Sequence, residues 1–244
     1  MMDKDITQNK FYLSHKGYCY CCDSEVLFEA TNNWLRDYLV CPKCYSLPRE
    51  RALMYIIQTY YPNWKQLAIH ESSPAIRGAS LKLKTNVKDY IASQYYPNQP
   101  FGKIIDGFQN EDLENQTFKN DSFDIVVTQD VMEHIYEPAK AFAEIGRTLK
   151  KGGAHIFTVP IINKHNETEI WATKGQNGEP VFLKNPEWHG NPVDEKGSPV
   201  TMHWGFDIVN FIQEKSGLKT RIEYINNLDL GIQAEYIEVL VTQK

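Results

Sequence analysis

Phe123-Asp124-Ile125-Val126-Val127-Thr128-Gln129-Asp130-Val131-Met132-Glu133-His134-Ile135 is the run whose reading decides the fold. Four of its first six residues are apolar, three of them in succession, which suits a central strand of a parallel sheet covered on both faces. Thr128-Gln129-Asp130 end that strand in polar residues. Downstream, Pro138 to Leu149 reads as a helix with Phe142, Ile145 and Leu149 on one face; Lys150, Lys151 and Gly152 mark its end. Ala154 to Val159 is the next strand, with Ile156, Phe157 and Val159 as core candidates. Upstream, Leu67-Ala68-Ile69 is a short strand running into His70-Glu71-Ser72-Ser73-Pro74, and Val87 to Ala92 is another. Strands alternating with helices predict an α/β fold around a parallel sheet. Phe206 to Lys215 reads as a short helix capped by Asp207 and stopped at Gly217. The last two strands, near Arg221–Tyr224 and Tyr236–Thr242, follow too closely for a helical crossover, so the sheet is expected to end antiparallel.

The N-terminal part has a different character. All five cysteines lie there: Cys19, Cys21, Cys22, Cys41 and Cys44. Cys19-x2-Cys22 and Cys41-x2-Cys44 stand 18 residues apart, inside the spacing of four-cysteine zinc sites. Each two-residue spacer makes a tight turn that aims two thiolates at one ion, and two such turns complete a tetrahedral shell. Lys43 favours thiolates by its charge. Glu25 to Glu29 and Tyr38-Leu39-Val40 read as two strands of a zinc ribbon. Cys21 makes the count odd and offers an alternative register with Cys19. Four thiolates leave no open position, so the expected zinc is structural and supplies folding energy to a segment with little core. Residues 1–48 are thus expected to form a zinc ribbon and 49–244 the main domain. Ser46 is a candidate N-cap for a helix carrying Leu53, Ile56, Ile57 and Tyr60 and ended by Pro62.

Composition sets the outer bounds. Hydrophobic residues make up 42% of the 244 and charged residues 23%, an ordinary globular mix. Lys and Arg number 26 against 31 Asp and Glu, a net charge of −5 that argues against a generic nucleic-acid binder. No apolar run approaches membrane-helix length. The start, Met1-Met2-Asp3-Lys4-Asp5, lacks the pattern of a signal peptide. The expectation is a cytoplasmic protein, in which paired disulfides are unlikely. Residues 161–205 break the alternation, with Pro180, Pro186, Pro192, Pro199, Trp171, Trp188 and Trp204; they read as an ordered insertion over a substrate.

In an open parallel sheet, ligands bind beyond the carboxyl ends of the strands. Polar clusters fall there at His70 to Pro74, Asn110 to Glu114 and Thr128 to Asp130. Taken in order, Asp112-Leu113, Phe118, Asp121 to Val127, Asp130 to Ile135, Pro138, Glu144-Ile145, Arg147 to Lys150, Gly152-Gly153 and Phe157 to Pro160 resemble the class I S-adenosylmethionine (SAM)-dependent methyltransferases. The closest pattern is the branch with S-F-D-x-V, E-H and E-x-x-R-x-L-K-x-G-G. The resemblance covers about residues 64–244. The cysteine pattern followed by Ser46-Leu47-Pro48-Arg49-Glu50-Arg51-Ala52-Leu53 is also similar to a subgroup with a cysteine module ahead of the catalytic domain, often found among enzymes that modify glycans.

The resemblance implies a Rossmann-like sheet with SAM across its strand ends, against His70, Glu71, Ser72, Ser73, Ser93, Gln94, Asp112, Leu113, Gln129 and Asp130. Two departures stand out. The usual E-x-G-x-G loop is replaced by Glu71-Ser72-Ser73-Pro74-Ala75, with Gly78 only later, and Ser93-Gln94 occupy the place of the acidic ribose ligand. A hydroxyl acceptor benefits from a general base, most readily a histidine near neutral pH. Of seven histidines, His15 and His155 read as structural. His134 shapes the site, while His189 and His203, each beside a tryptophan in the insertion, are the leading bases and Asp130 a further one. The leading expectation is O-methylation of a sugar, glycan or other small-molecule hydroxyl. The alternatives are an RNA methyltransferase that grips nucleic acid through the ribbon and Arg36, Lys43, Arg49 and Arg51, and a non-catalytic SAM-fold scaffold.

Overall fold

The computed structural model describes residues 11–191 and 193–244. The start Met1 to Asp5 and Pro192 lie outside the described residues. Central-sheet strands and the longer helices are numbered along the chain. Helix α1 is Pro48–Tyr60, strand β1 Ala68–Ser72, helix α2 Gly78–Asn86 and strand β2 Asp89–Gln94. Strands β3, Ile104–Ile105, and β4, Phe108–Asn110, precede β5, Phe123–Gln129. Helix α3, Pro138–Thr148, leads into β6, Leu149–Thr158. After the insertion come α4, Ile208–Ser216, β7, Lys219–Glu223, and β8, Val239–Gln243.

The eight strands lie in the order β7-β8-β6-β5-β1-β2-β4-β3. β6, β5, β1, β2 and β4 run parallel, while β8 is antiparallel to β6 and β7. The α/β class and the antiparallel end are therefore as expected. Successive residues of β5 point to opposite faces. Ile125 and Val127 join a core under α1, α2 and the cysteine module; Val126 joins a second core under α3 and α4. Both faces are covered, which is why Ile125, Val126 and Val127 are apolar in succession with no alternation.

Several local expectations are corrected. Tyr38-Leu39-Val40 is not a strand: Leu35–Tyr38 is a helical turn, and only Val40 bridges to Glu29. The partner of Ser24–Ala30 is Leu13–Cys19, in an antiparallel hairpin. Ser46 does not cap α1, whose N-cap is Leu47; the Ser46 hydroxyl lies 3.4 Å from Cys19 Sγ and 3.3 Å from Cys44 Sγ. Lys150 to Gly152 belong to β6 rather than to the end of α3. Asp207 precedes α4 without a side-chain cap, because its carboxylate accepts from the Thr168 backbone N–H and hydroxyl at 3.0 and 2.6 Å. Gly217 ends α4 in the left-handed region at φ 73°.

Arginines join the cysteine module to the main sheet. Arg51 of α1 is fully buried, and its guanidinium donates to the carbonyls of Leu39, Ser46 and Gly231. Gly231 closes on the Phe28 ring so tightly that a Cβ there would lie 2.6 Å from it.

Candidate active site at the carboxyl edge of the sheet

The ends of β1, β2, β4 and β5 bring most of the expected cofactor residues to one edge. Glu71 is fully buried; its carboxylate accepts from Ser80 Oγ at 2.6 Å, Tyr90 Oη at 2.7 Å and Gln129 Nε2 at 2.8 Å. Burial pushes its carboxyl above the ordinary range. Gln129 Oε1 is buried and has no hydrogen-bond partner among the described residues. An unpaired buried acceptor costs about 1–3 kcal/mol, so this atom fits a ligand that donates to it. Beyond β1 the chain turns at Ser73, φ 53°, whose N–H donates to Ser93 O at 2.8 Å. Gly78 carries the second positive φ, 54°, and a Cβ there would collide with the Glu50 carboxylate. One glycine and a left-handed serine thus make the tight loop where the resembling family has several glycines. Asp112 lies beyond β4 and accepts the Glu114 N–H at 2.9 Å, while Leu113 is buried.

His70 is not at this edge. It turns into the opposite core against Phe118 and Phe123, pairs with Ser93 Oγ at 2.7 Å and is fully buried. Burial pushes it down to about 3, so it is neutral. The reason is alternation along β1: Glu71 faces one side, so His70 faces the other.

Asp130 follows β5 with φ 51°. Arg36 Nη2 lies 2.6 Å and Arg49 Nε 2.7 Å from its Oδ2, and Thr158 Oγ1 donates to Oδ1 at 2.9 Å. Although burial works the other way, the two guanidiniums and the Thr158 hydroxyl hold its carboxyl below the ordinary range. A carboxylate held this way is a poor proton acceptor; it ties the N-terminal module to the strand end.

The next turn holds the larger concentration of proton-handling groups. Glu133 is 1% exposed, and neither carboxylate oxygen has a hydrogen-bond partner among the described residues. Burial, with the Asp130 charge nearby, pushes it up to about 8. His134 Nε2 and His189 Nδ1 each lie 3.8 Å from Glu133 Oε1. His134 Nδ1 pairs with Pro199 O at 2.8 Å. His189 Nε2 stands 3.3 Å from Glu187 Oε1, and His203 Nε2 stands 2.9 Å from Glu187 Oε2. Trp171 stacks on His203 with ring centroids 3.7 Å apart. Three expected catalytic histidines therefore meet around two carboxylates.

Residues 161–205 reach this turn through short hairpins. Trp188–His189 pairs with Ser198–Pro199, and Glu169–Ile170 with Met202–His203. Thr201 is the suture: its N–H and hydroxyl donate to Glu133 O, and the hydroxyl also to Ile135 O at 2.7 Å. Trp204, fully buried, donates Nε1–H to Met132 O at 3.3 Å.

In the N-terminal module, Cys19, Cys22, Cys41 and Cys44 converge with their sulfurs all within 4.8 Å of one another. Cys19 and Cys44 are 3.7 Å apart, Cys22 and Cys41 3.8 Å. Hydrogen bonds from Cys21, Cys41 and Cys44 hold the Cys19 thiol far below its usual range. Cys22 is pushed up to about 12 by burial and neighbouring thiolates. Four sulfurs this close cannot all be thiolates without a cation among them, and an S4 donor set fits Zn2+. Cys21 stands outside this group, in the core.

Comparison with known proteins bears on this arrangement. Residues 81–157, from α2 to β6, match the profile of a methyltransferase domain. Over that stretch the chain carries a methyltransferase domain. The donor of that domain family is SAM, and the sheet has its class I fold. A SAM-dependent methyltransferase from Mesorhizobium loti superposes with a TM-score of 0.50 at 14% identity, over 78% of this chain and 96% of its own. A chain from the complex containing the Haloferax volcanii Trm112 methyltransferase activator gives 0.50 at 16% identity, over 80% and 89%. No curated protein sequence matches the chain. No helix among the described residues is long and apolar enough to cross a membrane.

Sequence reasoning passed over several residues of this domain. Glu133 figured only as part of a signature, although a carboxylate one turn past a buried strand end is well placed for chemistry. Glu187 was legible as an acid two positions before His189. Nothing in the sequence pairs Arg36 and Arg49 with Asp130, about ninety positions away.

Proposed function

We propose that this methyltransferase transfers the methyl group of SAM to a hydroxyl of a sugar or other small polyol. The observation that carries the reading is the Glu133 carboxylate, buried, with no hydrogen-bond partner among the described residues and facing two imidazoles beyond β5. On this reading Gln129 Oε1 accepts from the SAM ammonium, and Ser72, Ser73, Gln94 and Asp112 lie along the remaining cofactor edge. SAM supplies a sulfonium-activated methyl, and alignment is the protein's contribution. The acceptor hydroxyl docks against Glu133, His134 and His189. Its oxygen forms the bond to the methyl carbon while the sulfur keeps the electron pair of the broken bond. The hydroxyl proton passes to His189, whose far nitrogen faces the Glu187 carboxylate at 3.3 Å, with His203 behind it. Trp188, 44% exposed and next to Glu187, offers an aromatic face beside a carboxylate, which suits the C–H faces and hydroxyl edges of a sugar. Residues 161–205 act as the acceptor-side cover.

The four-cysteine cluster of the 1–48 module binds one structural zinc in this account. Of the four basic residues expected for an RNA acceptor only Lys43 is exposed, and the three arginines give it no support. Arg51 is buried on carbonyls, and Arg36 and Arg49 face Asp130. The test uses methyl-labelled SAM with a panel of sugars, polyols, RNA and carboxylic acids. The expected product is a base-stable methyl ether on a sugar or polyol. Label found only in RNA, or only as a base-labile ester, contradicts the reading.

A further inference from the structure

The chemistry of Glu133, His134 and His189 goes beyond a proton relay. Their three donor atoms lie within 4.8 Å of one another. The two imidazoles have their other nitrogens engaged. His134 Nδ1–H donates to the Pro199 carbonyl at 2.8 Å, which leaves the Nε2 lone pair facing Glu133. His189 Nε2 faces the Glu187 carboxylate at 3.3 Å, which leaves Nδ1 facing Glu133. A histidine whose far nitrogen is held by a carbonyl or carboxylate is the arrangement in which imidazoles ligate metals. Glu133 adds a second, independent observation: both of its oxygens are buried and accept no hydrogen bond among the described residues. A buried carboxylate without partners is costly, and a cation is the group that relieves it.

We propose that Glu133, His134 and His189 form a divalent transition-metal site, distinct from the four-cysteine cluster. Two imidazoles and one carboxylate suit Mn2+, Fe2+, Co2+, Ni2+ or Zn2+ and leave coordination positions open. An acceptor hydroxyl in one of those positions loses its proton to the Glu187–His203 pair more readily, because the cation stabilises the alkoxide as the O–CH3 bond forms. Glu187 then orients His189 as a ligand rather than as the base. The inference deepens the proposed function and rests on its placing of the acceptor beside this turn. The ion itself can be measured with no acceptor present.

The probe is Co2+ added to protein that carries zinc in its cysteine site, followed by visible absorption. One Co2+ per chain is expected, without the thiolate charge-transfer bands that a cysteine site would give. Glu133→Gln and His189→Ala should abolish saturable binding, and Glu187→Gln should weaken it about 10- to 100-fold, the usual effect of losing an outer partner. A shift of the thermal unfolding midpoint by S-adenosylhomocysteine, retained in each variant, reports an intact fold. Should Glu133→Gln fail that control, His189→Ala, on an outer hairpin, carries the test. No saturable Co2+ binding by the native protein, or equal binding by native and folded variants, overturns the site. Methyl ether formation undiminished after chelation overturns the metal's role and leaves the acceptor reading intact. Co2+ binding at these residues with no hydroxyl methylated sinks the acceptor reading alone.

Discussion

Replacing Asp130 with asparagine isolates the tie between the N-terminal module and the main sheet. Asp130 accepts charge-assisted hydrogen bonds from Arg36 at 2.6 Å and Arg49 at 2.7 Å, and the Thr158 hydroxyl at 2.9 Å. Asparagine keeps the shape and one acceptor oxygen but leaves two guanidiniums facing a neutral amide. Breaking a buried ion pair by removing one partner costs about 3–5 kcal/mol, and the surviving oxygen puts Asp130→Asn near the lower end. In a chain of this size each kcal/mol moves the melting midpoint by roughly 2–4 °C, so a fall of about 6–12 °C is expected. The sign with pH follows from the depressed carboxyl. Its stabilisation is present above the unfolded value near 3.9 and is lost as pH falls through the folded value, so the two proteins should converge in acid. Calorimetry across pH, with Arg36→Gln and Arg49→Gln in a double-mutant cycle, measures the coupling. A midpoint within 2 °C of the native one at pH 7, or an Asp130→Asn loss undiminished in the arginine variants, would refute the tie.

Metal analysis should find about one zinc per chain in the cysteine site, kept in Cys21→Ser and lost in Cys22→Ser or Cys41→Ser; loss in Cys21→Ser with retention in Cys22→Ser would mean the other register. Gln129→Leu should weaken S-adenosylhomocysteine binding by about 1.5–3 kcal/mol, the worth of a hydrogen bond to a charged group, and unchanged calorimetric affinity would remove Gln129 from the cofactor edge. His189→Ala should keep that affinity and lose turnover, as befits an interaction made in the transition state, whereas equal loss of both would make it a cofactor-side residue. His155, fully buried and stacked on Phe157, is pushed down to about 3 by burial. Its contribution is complete above the unfolded value near 6.5 and falls away toward the folded value, so about 2 kcal/mol is lost by pH 5; urea unfolding at pH 7 and pH 5 should show His155→Gln with a shallower loss than the native protein.

The central sheet was legible where side chains obey their usual habits. β5 reads correctly because both of its faces are covered. Helix α2 escaped notice because its pattern is inverted. Leu81 is 44% exposed, while Lys82 is buried with its ammonium on Tyr20 O and Asp23, each at 2.6 Å. The Leu13–Cys19 strand was hidden in a different way. Only its Gly17 and Cys19 ends are buried, so hydrophobic alternation is weak there. The cysteine spacing survives this difficulty because ligand geometry fixes it independently of burial. For the active site, the sequence located the strand ends but not the directions of the side chains. His70 and Asp130 both read as carboxyl-edge residues, yet the first turns into the core and the second is locked by distant arginines. The grouping of His134, His189 and His203 depends on the Thr201 suture, a long-range contact with no local signature.

The structure of a complex with S-adenosylhomocysteine tests the central claim most directly. The account places the cofactor over the ends of β1 and β5, its ammonium on Gln129 Oε1 and its sulfur facing the turn of Glu133, His134 and His189. The gap between sulfur and cluster should admit an acceptor oxygen at a near-attack distance of roughly 3–3.5 Å from the position the methyl of SAM takes. Cofactor bound elsewhere, or with its sulfur turned away from that cluster, would contradict it.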